Sequence, residues 1–348
     1  MTKTEFTLDR LEAAARKVQT RLRPTAEISW PLLNARVGAE VWVKHENHNP
    51  TGAFKVRGGL VLMSELAERG VPAAGVITAT RGNHGQSIGF AAKAFGIKTT
   101  IVVPEGNNPE KNAAMRALGV DLRIRGRDYQ EAADWAAQEA ENKGLLKLPT
   151  FHPSLVAGVA SYSLEFLRAQ PDLDTVYLPI GMGSGICGLC AARDALGLKT
   201  KIVGVVAEGA QAYALSFEAG RPVPTEGAET IADGMACRTP DESALAIILK
   251  GVDRIVRVSD DAIRDAIAAY YVDTHNLAEG AGAAPLAALL AERTRMRAKR
   301  VGLVLTGGNI DRQLMAEILS EGWRSPLEEP LSPQSGALTR SPAREDAA

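Results

Sequence analysis

Short β-branched runs alternate along this chain with longer segments of helical period. Val76, Ile77 and Thr78 follow Gly75 as a strand over 75–78, and residues 83–95 carry a helix closed by Gly96. A strand follows over 99–103 and stops at Pro104. A helix over 109–118 opens on Pro109, which suits a first turn. A strand over 121–125 and a helix over 130–142 complete this stretch. The alternation resumes with strands at 175–180 and 201–207 around a helix at 188–196. It continues with a strand at 254–258, helices at 260–273 and 282–293, and a strand at 300–305. Such a pattern predicts an α/β fold, with parallel sheets covered by helices on both faces. Ligands in folds of this kind sit at the carboxyl ends of strands.

Composition narrows the class. The chain has 348 residues, enough for two lobes with their own cores, with 45% hydrophobic and 23% charged residues. A net charge of -1 gives no broad attraction to nucleic acid or acidic membranes. No apolar run approaches the roughly 18 residues of a membrane span. Residues 1–16 mix Lys3, Glu5, Asp9, Arg10 and Glu12 without an apolar stretch, so a signal peptide is not expected and the cytoplasm is. The cysteines, Cys187, Cys190 and Cys237, are too few and odd in number for a disulfide framework. No second pair or histidine follows Cys187 and Cys190 at zinc spacing, and both read as small buried helix residues. The tail over 324–348, rich in Pro, Ser, Glu and Arg, is expected to be disordered.

Four segments carry candidate chemistry. In Pro50-Thr51-Gly52-Ala53-Phe54-Lys55-Val56-Arg57-Gly58-Gly59, Lys55 is a candidate to hold an aldehyde cofactor as a Schiff base. Its amine needs desolvation or a nearby positive charge to lose its proton. Phe54 can provide the first and Arg57 the second. The segment Thr80-Arg81-Gly82-Asn83-His84-Gly85-Gln86 joins a strand to a helix. Its backbone N–H groups favour an anion such as a carboxylate, and Asn83 offers an amide donor; the plainer reading is a capping turn. Gly181-Met182-Gly183-Ser184-Gly185-Ile186-Cys187-Gly188 follows a strand end, and its amides can converge on a phosphate. Gly183, Gly185 and Gly188 also match G-x-G-x-x-G, with Glu208 about twenty residues on, which is the dinucleotide pattern. That rival reading, a nicotinamide-dependent oxidoreductase, leaves Lys55 and Asn83 without roles. In Leu305-Thr306-Gly307-Gly308-Asn309, Thr306 can present a hydroxyl to a ring nitrogen.

In this order the four segments resemble fold-type II enzymes that use pyridoxal 5'-phosphate, nearest to the serine/threonine dehydratase and serine racemase family. The resemblance spans residues 22–319. It implies a two-lobed, tryptophan synthase beta-like fold, with a small lobe at 76–143 and a large, discontinuous lobe at 1–75 and 144–323. It implies that Lys55 carries the cofactor, that Phe54 packs on it, and that Asn83 bonds the ring oxygen. Gly181, Met182, Gly183, Ser184 and Gly185 would cradle the phosphate, Thr306 would bond the pyridine nitrogen, and Glu279 would lie near the ring. Thr80, Arg81, Gly82, Asn83 and His84 would receive the substrate carboxylate. The implied activity is an ammonia-lyase that converts a β-hydroxy amino acid to a 2-oxo acid and ammonia. The substrate would be threonine, serine, a 3-hydroxyaspartate or a phenylserine, and the enzyme a homodimer. A β-replacement synthase, a racemase and a non-catalytic cofactor-binding protein are the other readings.

The chain departs from the family pattern in places. Ala53 stands for the usual serine before Phe-Lys, and Gly181-Met182-Gly183-Ser184 for four glycines. Gly158-Val159-Ala160-Ser161 stands for Gly-Gln-Gly-Thr. Arg81 occupies the position of the racemase serine, which removes the second-face acid/base and sets a cation where a substrate carboxylate belongs. Of the family's divalent-metal pair only Glu208 is present, since Ala214 replaces the aspartate, and a weak metal site at Glu208 or none is expected. Thr230-Ile231-Ala232-Asp233-Gly234 also matches the family, without a role derivable from sequence.

Overall fold

Among the described residues ten strands divide between two sheets. The computed structural model describes residues 6–321; the tail expected over 324–348 lies outside them. The strands are β1 Glu27–Ser29, β2 Glu40–His45, β3 Val76–Ala79, β4 Thr99–Val103, β5 Asp121–Ile124, β6 Leu146–Lys147, β7 Thr175–Pro179, β8 Lys201–Ala207, β9 Arg254–Val258 and β10 Arg300–Leu305. The large sheet runs β1-β2-β10-β7-β8-β9 and the small one β5-β4-β3-β6.

All pairings are parallel except β1 with β2, where Glu27 faces Lys44 and Ser29 faces Trp42. An antiparallel edge on a parallel sheet is common in such folds. The parallel strands are buried on both faces, which is why Val76–Ala79, Ile101–Val103 and Val301–Leu305 read as unbroken apolar runs. Helices Pro153–Ala169 and Ser184–Ala195 cover one side of the large sheet, and Asp260–Thr274 and Gly280–Ala291 the other. Among the described residues no helix is long and apolar enough to cross a membrane.

Two differences from the sequence expectation have physical causes. The small sheet does not end at residue 143: β6 pairs Leu146 with Val76 and Lys147 with Ile77, so this lobe takes in its last strand after helix Tyr129–Lys143. The helix expected from 188 begins at Ser184, because only Gly183, at φ +95°, has a turn conformation; Gly188 sits inside the helix, packed on Ala160 of helix Pro153–Ala169. Lys55 is the first residue of a helix, Lys55–Arg69.

Arg57 also has a different task from the one expected. Its Nε and Nη2 donate to Glu46 at 2.7 and 2.9 Å, and its Nη1 and Nη2 to Glu165 at 2.8 and 2.9 Å. Lys44 donates to the same Glu165 at 2.8 Å. Burial disfavours the Arg57 charge, but Glu46 and Glu165 outweigh it and hold the guanidinium raised above its ordinary range. Arg57 thus serves a buried ion network that ties β2 and helix Pro153–Ala169 to helix Lys55–Arg69, and it is not among the groups that govern Lys55.

Candidate active site

Lys55 is held by a graft between segments some 250 residues apart in sequence. The Phe54 N–H donates to the Thr306 carbonyl at 3.0 Å, Ala53 bridges Gly307, and Gly308 N–H donates to the Gly52 carbonyl at 2.9 Å. The first and fourth motifs are therefore one short ribbon, which fixes Lys55 beside the end of β10. The Lys55 carbonyl accepts from the Ser87 hydroxyl at 2.6 Å, which joins this helix start to helix Asn83–Phe95.

The Lys55 ammonium lies 4.9 Å from the centre of the Phe54 ring. That ring in turn lies against Gly185, 3.5 Å from where a Cβ would project. Phe54 thus links the lysine to the third motif. Burial pushes the Lys55 amine below its ordinary range; Glu279 and Asp233 oppose the shift, and Lys111 adds to it. The positive neighbour that sequence assigned to Arg57 is Lys111.

The third motif ends in a helix N-terminus of the kind that can receive an anion. Helix Ser184–Ala195 starts after Gly183 without a side-chain cap. Its first N–H groups have no helical acceptor, and the helix dipole favours negative charge there. The loop is closed from behind: a Cβ on Gly181 would stand 2.2 Å from the Gly234 carbonyl oxygen. The two cysteines of this helix are free and buried, and burial pushes the Cys190 thiol up to about 12, in keeping with a packing role.

Asn83 opens helix Asn83–Phe95 and is buried at the meeting of the lobes. Its Nδ2 donates to Glu279 Oε1 at 2.6 Å, and its Oδ1 accepts from Asn309 Nδ2 at 2.8 Å. Glu279 precedes helix Gly280–Ala291, its N–H donates to the Gly307 carbonyl at 3.0 Å, and its Oε2 is buried without a partner. Burial raises the Glu279 carboxyl above its ordinary range, with Lys111 and Lys55 opposing. His84 Nε2 is likewise sealed and without a partner, although part of the residue reaches solvent. Burial first, and the Lys55 charge second, push the imidazole down to about 4. Thr80 Oγ accepts from the Gly82 N–H at 3.1 Å, fixing the turn.

Arg81 is exposed, and among the described residues it makes no ion pair or hydrogen bond. Glu208 is also exposed, in the turn Glu208–Ala210, and among the described residues no three His, Cys, Asp or Glu side chains gather to hold a metal. Two residues of this region were not legible as site residues. Lys111, from helix Pro109–Ala117, donates to Asp233 at 2.5 Å, and Asp233 belongs to the segment for which sequence suggested no role. Only the family match at 230–234 pointed there. Nothing around Lys111 announces a buried lysine.

The residues present fit pyridoxal phosphate. A glycine-lined helix N-terminus suits its phosphate, a desolvated lysine suits its aldehyde, and Glu279 Oε2 and His84 Nε2 are buried polar atoms without a protein partner. The comparisons agree. The family model "Pyridoxal-phosphate dependent enzyme" matches residues 18–307. The L-threonine ammonia-lyase of Thermotoga maritima is 33% identical over 318 residues, covering 91% of this chain and 79% of that one. The L-threo-3-hydroxyaspartate ammonia-lyase of Saccharomyces cerevisiae is 30% identical over 308 residues, 88% of this chain and 94% of that one. The solved structure of maize serine racemase superposes with a TM-score of 0.84 at 26% identity, covering 90% of this chain and 96% of that one. Carrying a fold-type II architecture, this chain belongs to the pyridoxal-phosphate-dependent enzymes.

Proposed function

We propose that the protein is an ammonia-lyase that dehydrates and deaminates a small β-hydroxy amino acid, such as threonine or serine, to a 2-oxo acid and ammonia. The observation that carries this reading is the desolvated Lys55, set beside Phe54 at the end of β10. By the family resemblance Arg81 stands where a second-face serine would make the site a racemase. The similarity to two ammonia-lyases supports it.

Pyridoxal phosphate, when bound, withdraws electrons from the α-carbon of an amino acid held through its nitrogen. The N–H groups at the start of helix Ser184–Ala195, with the Ser184 hydroxyl, would hold the phosphate among Gly181, Met182, Gly183 and Gly185. Asn83 would donate to the ring oxygen and Phe54 would cover the ring. Thr306 would meet the ring nitrogen, and its neutral hydroxyl keeps less positive charge there than a carboxylate partner. Less electron withdrawal favours prompt loss of the β-substituent. Glu279 would sit by the ring, holding Asn83. Thr80, Gly82 and His84 would shape the loop that takes the substrate carboxylate, with Arg81 at the rim as a cation that draws it in.

Lys55, freed when the substrate amine takes its place, would accept the α-proton. The Cα–H electrons form the Cα–Cβ double bond as the Cβ–O bond breaks, and the departing hydroxide takes up the proton that Lys55 accepted and leaves as water. The released enamine tautomerises, adds water and gives the 2-oxo acid and ammonia, so the net reaction consumes no oxidant. The family resemblance and the exposed apolar Leu32, Tyr271 and Leu277 support a homodimer, and we place the enzyme in the cytoplasm.

Absorbance and ammonia release test the proposal. The reconstituted protein is expected to show the visible band of a lysine-bound cofactor near ~410 nm, to lose it in Lys55→Ala, and to release ammonia from serine or threonine. A visible band without ammonia from serine, threonine, hydroxyaspartate or phenylserine would leave a cofactor-binding protein or a different reaction.

A further inference from the structure

Lys111 has an environment that the four motifs do not explain. It is 7% exposed, and its stem crosses the turn at Gly82: a Cβ there would stand 2.7 Å from Lys111 Cδ and 3.6 Å from its Nζ. Its ammonium therefore borders the loop proposed to take the substrate carboxylate. Burial disfavours its charge, but Glu279 and Asp233 outweigh this and hold it protonated. Nζ donates to Asp233 at 2.5 Å, across the lobes. The start of helix Pro109–Ala117, which carries Lys111, is tied to the large lobe twice more, by Asn108 Nδ2 donating to Asp311 at 2.9 Å and by Arg312 paired with Glu110 at 3.6 Å. The ammonium is thus held at a fixed place on the wall between the lobes.

We propose that Lys111 is a specificity-determining residue: it donates to the β-oxygen of the substrate, and Asp233, by neutralising it, selects a neutral β-hydroxy side chain over one that carries a second carboxylate. This rests on the lyase reading above. An ammonium has three donors, and Asp233 takes one. The pair leaves no surplus buried cation to meet a distal carboxylate, since Glu279 and Asp233 already offset Lys111 and Arg81 is exposed.

The cofactor-loaded wild type, Asp233→Asn, Lys111→Arg, Lys111→Met and the Met/Asn double variant are compared. Calorimetry gives the Kd of L-alanine and of L-aspartate, which lack the leaving hydroxyl, and kinetics give kcat/KM for L-threonine and L-threo-3-hydroxyaspartate. Asp233→Asn should raise the preference for aspartate over alanine, and for hydroxyaspartate over threonine, by about tenfold, because it frees the Lys111 charge. The gain should vanish in the double variant, and Lys111→Arg should keep the wild-type preference in part where Lys111→Met does not. An unchanged preference in Asp233→Asn, or a gain that survives loss of Lys111, overturns the proposal. Thermal unfolding of Asp233→Asn confirms that a folded protein is being read. If the wild type releases no ammonia from any of these amino acids, the lyase reading fails, and the two dissociation constants still decide the role of Lys111.

Discussion

Asn83 donates to Glu279 at 2.6 Å across the junction of the two lobes. The small lobe presents an amide whose orientation is fixed by Asn309 on its other side. The large lobe presents a carboxyl that burial raises above its ordinary 4.5. Glu279→Gln keeps an acceptor for Asn83 and removes the titration. As pH climbs through 4.5 the unfolded chain releases a proton that the folded site retains, so the wild type loses stability until the folded carboxyl also ionises. Glu279→Gln should therefore gain on the wild type from about pH 4.5 upward. Glu279→Ala, which orphans the Asn83 amide, should cost about 1–3 kcal/mol at any pH. Urea unfolding across pH 4 to 8 on the cofactor-free protein checks both, and parallel curves for wild type and Glu279→Gln would refute the first.

How far the sequence reached follows from what each feature depends on. Helix Asn83–Phe95 and strands Thr99–Val103, Lys201–Ala207, Arg254–Val258 and Arg300–Leu305 were legible because local period and caps determine them. The first helices, Leu8–Gln19 and Pro31–Val37, went unassigned, as did helix Pro153–Ala169. The last is buried almost all round and so has no polar face to set a period. The antiparallel β1–β2 pair depends on long-range pairing that local pattern does not carry. The four motifs were legible as candidate segments, three of them at strand-to-helix junctions, but Arg57 was misassigned because adjacency to Lys55 in sequence suggested adjacency of charge. Two residues along the helix, its guanidinium points away from the Lys55 side, to Glu46 and Glu165. Lys111 and Asp233 meet only through the lobes' packing.

Gly183 sets the entry to the phosphate cradle at φ +95°, and a Cβ there would stand 2.7 Å from that of Ala244. Gly183→Ala combines a left-handed backbone penalty of about 1 kcal/mol or more with this clash. It should weaken cofactor binding by about tenfold or more, since the N–H groups that follow it are the proposed anion donors. Ser184→Ala removes one hydroxyl and should weaken binding only several-fold, for about 1 kcal/mol. Titration of the visible band with cofactor ranks the two. Equal affinities in Gly183→Ala and wild type would place the phosphate elsewhere.

Arg57 is fully buried between two carboxylates, so truncation leaves Glu46 without its ion-pair partner and Glu165 with Lys44 alone. Arg57→Met should cost about 3–5 kcal/mol of stability. Arg57→Lys, which keeps the charge without the fork that reaches Glu46 and Glu165 together, should cost less but measurably so. Neither should alter the wavelength of the cofactor band in the protein that remains folded, because Lys111 and not Arg57 acts on Lys55. Chemical denaturation with the absorbance spectrum separates the two effects. A shifted band in Arg57→Lys at unchanged stability would restore the role sequence suggested.

His45 links β2 to the turn that follows it and titrates where the cell does not. Its Nε2 accepts from Trp30 Nε1 at 3.1 Å, and Nδ1 lies 3.3 Å from Asn47 Oδ1, so the neutral ring with Nδ1–H satisfies both neighbours. Burial, and then the neighbouring His48, lower it from 6.5 to about 4. Below pH 6.5 the unfolded chain takes up a proton that the folded ring refuses until about pH 4, so stability is full above 6.5 and falls as pH drops. The loss from this ring should approach about 2 kcal/mol by pH 5, and His84 acts in the same direction. His45→Gln should flatten the acid limb of stability against pH by that amount. An unchanged limb in urea unfolding at pH 7.5, 6 and 5 would mean the folded ring accepts its proton freely.

Arg81 is exposed and pairs with nothing among the described residues, so its charge has no structural debt to settle. Arg81→Ala should leave stability within about 0.5 kcal/mol of wild type. If the rim cation draws in the substrate carboxylate, the loss falls on capture: kcat/KM drops by about three- to tenfold, KM rises and kcat changes little. Added salt should shrink the difference between wild type and variant, because screening weakens an exposed charge first. Because Asp233 already occupies Lys111, the loss should be similar for threonine and for 3-hydroxyaspartate if Arg81 reads the α-carboxylate that both carry. A loss confined to hydroxyaspartate would assign Arg81 to the distal carboxylate instead, and no loss on either would remove it from the path of the substrate.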